Sequence, residues 1–337
     1  MRMKTKVMPH MASVFLLISV MALPATSQEQ EVELDDRLVA FAESAQEFDA
    51  INALEAEESA INRLTLSDAF LTEYPESQMK QQALIVRLQT YVGLENNQAI
   101  VTTGEAYIEA ENAFYEAKLA EIGEDDTSEV DGFTIFQLNH MANLTYGYQS
   151  LMNASRALNR VEESARYGDL AFDTAEEAWS INSQIHEDGS TEYQELDQRR
   201  RQAQLFFLQT VMSVYQDAND AERTVEYAER ALGIDPQSLP TLITISSVLS
   251  ERPPEDESQH EAHFESAEEY AEQALETLEN FLDAVGARCA GHHDGQVGQR
   301  EQFSAAATED DHTCAAATGA RDDERPAVMP VEPRFRH

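Results

Sequence analysis

Residues 205–238 read LFFLQTVMSVYQDANDAERTVEYAERALGIDPQS and decide the fold of the chain. Large apolar residues recur at helical spacing on both sides of a polar turn at residues 217–220. They are Leu208, Val211 and Tyr215 before the turn, and Val225, Ala228, Ala231 and Leu232 after it. The second segment ends at Asp235 and Pro236, because proline lacks a backbone donor and pushes the preceding residue out of helical geometry. The stretch therefore predicts two amphipathic helices joined in a tight hairpin.

This hairpin is about 34 residues long, which is the period of a tetratricopeptide repeat (TPR), and it resembles that family. The matching positions are a ring late in the first helix, two pairs in the second helix and a closing proline, namely Tyr215, Tyr227-Ala228, Ala231-Leu232 and Pro236. Met212 and Thr224 depart from the small residues that the family usually has there. The resemblance implies an all-α fold, a right-handed α-solenoid of degenerate TPR hairpins, and a role in holding other proteins.

Weaker copies of the pattern predict that the solenoid covers residues 60–285. Its units span about 60–122, 133–185, 190–238 and 239–285. Gly168 stands where the family needs a small residue. Residues 28–59 predict an acidic leader followed by N-terminal capping helices. Stacking of three or more units is what buries a continuous core, because each hairpin alone leaves an apolar face uncovered.

The first 27 residues predict a secretory signal peptide. Arg2, Lys4 and Lys6 precede a short apolar run, and Pro24 and small residues follow before a cut expected at Gln28. The run is shorter than the roughly 20 apolar residues that span a bilayer. We therefore expect an exported protein, periplasmic or secreted, without stable membrane insertion after cleavage.

The net charge limits the classes of partner. The chain has 63 Asp and Glu against 23 Lys and Arg, a formal charge of −40, and loss of the three basic residues above would leave −43. Such a surface repels phosphate backbones and anionic lipid, so nucleic acid is not an expected partner. A protein or peptide partner fits better, and its surface is expected to be basic if the acids serve binding. The alternative is that dense acid provides solubility in a salty medium.

Residues 286–337 differ in composition from the rest of the chain. Both cysteines and five of the thirteen glycines fall there, and apolar periodicity stops at Val285. The composition predicts a disordered tail. A sharper hypothesis is that this segment is translated out of frame.

Catalytic motifs are missing from the sequence: it has no phosphate-binding glycine loop, no serine nucleophile elbow and no zinc-protease helix motif. His260 and His263 share a helix face but lack further metal ligands, so we predict no metal and no cofactor. Cys289 and Cys314 allow a disulfide, a metal site with nearby histidines, or two free thiols. We expect a non-enzymatic protein; the alternative is an accessory helical region of an enzyme or envelope-assembly complex whose catalytic part is absent from this chain.

The resemblance also implies a binding groove formed by the first helices of the hairpins. The matching positions are mostly uncharged residues that can form hydrogen bonds. They are Tyr146, Gln149, Asn153 and Arg156 in the unit at about residues 133–185, and Phe206, Gln209, Ser213 and Gln216 in the hairpin quoted above. Ordinary surface is the alternative interpretation of these residues. No cofactor is expected in the groove.

The dense acid predicts that stability rises with ionic strength, because salt screens repulsion between carboxylates on neighbouring helices. Thermal melts across a sodium chloride series measure this directly. A melting temperature that stays flat or falls would favour attraction of a basic partner as the reason for the acid. Partner affinity over the same series is the complementary measurement, since attraction between exposed opposite charges weakens as salt rises.

Overall fold

The computed structural model describes residues 35–123, 132–186, 189–252, 258 and 260–296. These residues form a 3-10 turn at Asp36–Leu38 and ten α-helices, and no β-strand occurs among them. The helices are α1 (Ala45–Ala56), α2 (Ala60–Glu73), α3 (Lys80–Gly93), α4 (Asn97–Ile122), α5 (Phe133–Ala157), α6 (Val161–Asn182), α7 (Thr191–Asp217), α8 (Ala221–Ile234), α9 (Leu239–Glu251) and α10 (His260–Gln296). The predicted all-α fold is confirmed.

The helices pack in the order in which they follow each other along the chain. Each one packs on the next from α1 to α10, and α1 also reaches α3. One apolar core runs between them from Leu84 on α3 to Ala267 on α10. A smaller core around Ile51, Phe70 and Met79 joins α1, α2 and α3. Packing on neighbours is the arrangement expected of a helical-repeat protein, and the right-handed sense of the solenoid stays a prediction.

Three hairpins share the same turn. Glu95, Asn159 and Asn219 have φ angles of 53°, 57° and 63°, which is the left-handed region that ends many helices. In each turn the next amide donates back to a carbonyl five residues earlier, as from Asp220 N to Tyr215 O at 3.0 Å. The same bond measures 3.1 Å and 2.9 Å in the two earlier hairpins. Positions in these hairpins can therefore be aligned by counting from the left-handed residue.

Side chains of the residues that precede the helices fix where several of them begin. Ser44, Asn96, Ser190 and Asp220 each accept a hydrogen bond from a backbone amide in the first turn of the helix that follows. Such caps satisfy amides that have no partner inside the helix, and each typically contributes about 1 kcal/mol. The helix α9 instead begins with a proline in its first turn, where the missing N–H is no loss.

Small residues let helices of successive hairpins approach closely. Counting nine residues from each left-handed position gives Gly104 on α4, Gly168 on α6 and Ala228 on α8. A Cβ added to Gly168 would lie 2.3 Å from Val211 Cγ2 on α7, and one added to Gly104 would lie 2.8 Å from Leu151 Cδ2 on α5. These contacts explain the small residue expected at Gly168.

The structure revises some of the predicted boundaries. The segment that ends at Ile122 continues α4, so the first predicted unit consists of α2, α3 and a long α4. The helix α10 continues to Gln296, past the predicted end of the solenoid at residue 285. No proline interrupts the chain between residues 255 and 325, so nothing in that sequence forces the helix to end where the apolar pattern does. The predicted signal peptide and residues 297–337 lie outside the described residues.

The described part of the chain contains ten α-helices. None of its helices combines the length and the apolar composition that crossing a bilayer requires.

We predict that Gly168→Ala lowers the free energy of unfolding by about 1–3 kcal/mol, because the new methyl group overlaps the stiff, fully buried Val211. Chemical denaturation of both proteins measures the difference. The matched control is Gly233→Ala on α8, where an added Cβ meets nothing within 4 Å. That change should raise stability by up to about 1 kcal/mol through helix propensity. Equal effects of the two changes would contradict the close packing of α6 on α7.

Candidate partner-binding face

Side chains on alternate helices connect α5, α7 and α9 directly. Arg156 on α5 donates from Nη2 to Ser213 Oγ at 2.8 Å and to Asp217 Oδ2 at 3.0 Å, both on α7. Both members of the ion pair are largely exposed, so its contribution to stability is expected to be small. The contact nevertheless shows that two of the predicted groove residues, Arg156 and Ser213, lie side by side.

A second bridge joins α7 to α9. Gln209 Nε2 donates to Ser238 Oγ at 2.9 Å and to Thr241 Oγ1 at 3.1 Å. Ser238 and Thr241 are buried and also lie within hydrogen-bond distance of each other, at 2.9 Å. Gln209 therefore connects the two helices. The groove role predicted for Gln209 requires an amide that is available to a partner, but this amide already forms hydrogen bonds within the protein.

Tyr146 lies in the core, although it was predicted to face the groove. Only 8% of the residue is exposed, and it packs in the apolar cluster that includes Leu151 and Tyr107. Burial raises the pKa of the Tyr146 phenol to about 12. It therefore offers little surface to a partner, because its side chain is buried in this cluster.

The other predicted positions differ in exposure. Gln149 and Ser213 are half-buried, whereas Asn153, Arg156 and Gln216 are exposed. Phe206 is half-buried and meets Phe207 edge-on, with ring centroids 5.6 Å apart. An exposed or half-exposed surface thus remains at Gln149, Asn153, Phe206, Ser213 and Gln216.

The repeat spacing assigns Ile243 on α9 to the same face, and this residue was not predicted. It is 55% exposed, although its apolar side chain would gain from burial. It lies 34 residues after Gln209, which is one repeat period. Carrying the groove pattern forward by one period would have identified it. We call the surface formed by Gln149, Asn153, Phe206, Ser213, Gln216 and Ile243 the odd face, because it lies on odd-numbered helices.

Charge is divided unequally between the odd-numbered helices α3 to α9 and the even-numbered helices α4 to α8. Neither α3 nor α5 contains Asp or Glu, and α9 contains only Glu251. Over α3, α5, α7 and α9 there are six Lys and Arg against five Asp and Glu. Over α4, α6 and α8 there are four Lys and Arg against fourteen Asp and Glu. The odd face therefore belongs to a nearly neutral layer of a strongly acidic protein.

The even-numbered helices are joined by tyrosine and carboxylate groups. Asp169 on α6 accepts from Tyr227 Oη at 2.7 Å and from Arg230 Nη1 at 3.0 Å, both on α8. Tyr167 Oη likewise donates to Glu105 Oε1 on α4 at 2.7 Å. Burial and the neighbouring carboxylate raise the pKa of both phenols, that of Tyr167 to about 12. These acids help to connect the even layer.

One buried polar group joins α4 to α5. Glu111 Oε1 lies 3.0 Å from His140 Nδ1 and accepts from Asn143 Nδ2 at 3.2 Å. The His140 ring stacks on Tyr115, with centroids 4.0 Å apart. Because Glu111 and His140 are both almost fully buried, these contacts compensate for the loss of solvent around the carboxylate. These contacts of Glu111 connect the helices α4 and α5.

Among the described residues, no group of three or more His, Cys, Asp or Glu side chains is placed to hold a metal ion. His260 and His263 are among these residues, whereas the side chains of Cys289 and Cys314 are not described.

Comparison with known proteins gives no family assignment. No protein-family model matches the chain. No curated protein matches it significantly either.

The contacts of Gln209 predict that Gln209→Ala lowers the free energy of unfolding by about 1–3 kcal/mol, because it removes a partner from two buried hydroxyl groups. The control is Gln216→Ala on the same helix, whose side chain is exposed. It should change stability by no more than about 0.5 kcal/mol. Urea unfolding of the three proteins measures both values. An equal, small effect of the two changes would mean that Gln209 does not connect α7 to α9.

Proposed function

We propose that this protein is a non-enzymatic scaffold of the TPR type that is exported and binds a peptide or helix of another protein on the odd face. The single observation that supports this most is the near-neutral odd layer in a chain of formal charge −40. Acid placed only for solubility has no reason to avoid one layer. A surface that binds a partner is expected to contain few acids, because unpaired carboxylates are costly to desolvate in an interface.

The side chains of the odd face define the chemistry of the partner segment. Amides and hydroxyls at Gln149, Asn153, Ser213 and Gln216 can bond to a peptide backbone, and Phe206 and Ile243 can contact apolar side chains. The helix α5 contains no Asp or Glu, and α9 contains only Glu251. The proposed occupant is therefore an uncharged or weakly charged segment with one or two apolar anchors, rather than a strongly basic one.

Export is proposed from the N-terminal sequence, in which three basic residues precede a short apolar run and small residues. The TPR assignment is supported by the packing of each helix on the next, by the repeated turn and by the small residues at fixed distance from it. The protein is proposed to act by binding alone.

Capture from a cell-envelope extract on immobilised wild-type protein tests the proposal. The double variant Asn153→Ala/Ile243→Ala should not capture the protein that the wild type captures. Once that protein is purified, its affinity for the double variant should be at least about tenfold lower than for the wild type. These positions are preferred to Gln209 because their side chains are exposed, so the fold is expected to be unaffected.

The matched control is Glu109→Ala/Glu222→Ala, two exposed acids on the even-numbered α4 and α8. It should retain the partner with unchanged affinity, and the affinity of the wild type should depend only weakly on salt. Loss of binding in this control with retention in the odd-face variant would contradict the proposal. That result would indicate that the partner binds to the acidic even-numbered helices.

A further inference from the structure

The last helix extends beyond the helix that it packs against. Ser246 Oγ on α9 donates to Ala267 O on α10 at 3.0 Å, which fixes the register of this antiparallel pair. Because both helices rise by about 1.5 Å per residue, Leu239 at the start of α9 lies opposite about residue 274. Ala274 is also the last residue of α10 among the buried apolar ones. Residues from 275 onward therefore project past α9.

Four large apolar residues lie on this projecting part. Leu275 is 59% exposed, Leu278 38%, Phe281 63% and Leu282 53%. We call this set the α10 stripe. Their spacing of three to four residues places them along one side of the helix. They account for four of the nine large apolar residues that are exposed among the described residues, so the exposure is concentrated at one place.

A row of acids borders the α10 stripe. At 3.6 residues per turn, Glu268, Glu272, Glu279 and Asp283 follow the edge of the helix next to Leu275 and Leu282. All four are exposed. The buried residues Ala267 and Ala274 lie on the same side of the helix as the stripe and precede it in the sequence. The surface is thus apolar in the centre, negative along one edge and bounded by α9 at its N-terminal end.

We propose that the α10 stripe binds an amphipathic helix of another protein that carries a row of Lys or Arg beside its apolar face. Leucine and phenylalanine on the stripe would bury the apolar face of that helix, as in helix-in-groove recognition. The basic row would lie along the four acids, where opposite charges favour one orientation of the bound helix. This surface is separate from the odd face and takes a partner of different charge.

Charge disfavours a second copy of the chain as the occupant. In an antiparallel two-fold pair, equivalent edges of the two helices face each other, so the acidic row would meet itself. In any pair, two bodies of formal charge −40 would be brought together.

The chain's own C-terminal residues also fit poorly. Between residues 298 and 327, Phe303 is the only Val, Ile, Leu, Met, Phe, Tyr or Trp. An apolar helix face needs such residues every three to four positions.

The test uses the full chain and a fluorescein-labelled 18-residue helix with leucine along one face and lysine along its edge. Fluorescence anisotropy should show binding by the wild type. Leu275→Ser/Leu282→Ser should weaken binding at least about tenfold. Glu272→Lys/Glu279→Lys should also weaken it, with a smaller dependence on salt than the wild type shows. Ile61→Ser, at an exposed position on α2, is the matched control and should bind as the wild type does.

Three outcomes would overturn the proposal. Equal binding of the wild type and the Leu275→Ser/Leu282→Ser variant would mean that the peptide binds elsewhere on the acidic surface. Equal binding of a peptide with glutamate in place of lysine would remove the role of the acidic row. Sedimentation of the wild type as a dimer that the same double variant dissociates would assign the stripe to a second copy. Circular dichroism melts of each variant show whether the fold is intact.

Discussion

The architecture depends on how closely a helix of one hairpin can approach the first helix of the next. At Gly168 there is no room for even a methyl group, because Val211 Cγ2 occupies the place that a Cβ would take. Close approach brings the apolar sides of α6 and α7 into full contact, which is the condition for a continuous core in a protein whose helices pack on their neighbours. The repeated turn sets the position of the small residue, and the small residue sets the spacing of the layers. Stability is thus distributed over a series of similar contacts and not concentrated in one centre.

The two layers are connected by different chemistry. In the odd layer, neutral groups such as Gln209, Ser238 and Thr241 carry the direct contacts between α7 and α9. In the even layer, Asp169 and Glu105 accept from tyrosines, so some of the abundant acid serves a structural purpose. A carboxylate that accepts strong hydrogen bonds can be half-buried at modest cost. The acid content of the chain therefore has at least two components, one that joins helices and one that faces solvent.

The helices and hairpins follow from the sequence because apolar spacing, turn residues and proline act locally. The turn at Asn219 and the small residue at Gly168 were both predicted, and the structure places them in the expected roles. Single side chains are harder to assign, since a helical position specifies a direction only to within part of a turn. Tyr146 was predicted to face a groove but lies in the core, and Gln209 reaches across to a neighbouring helix. Such contacts depend on the distance between helices, which local patterns do not contain. Ile243 was not predicted, because groove positions were assigned only in α5 and α7.

The uneven distribution of acid between the layers gives the molecule an electric dipole across its thickness. Each end of a dipole responds differently to an external field, so the protein does not approach a charged surface in random orientation. Near a polyanion, the acidic layer is repelled and the neutral layer turns towards the surface. Near a polycation the orientation reverses. The same fold can therefore present one layer or the other to its surroundings without any internal rearrangement, and ionic strength sets how far from the surface this orientation begins.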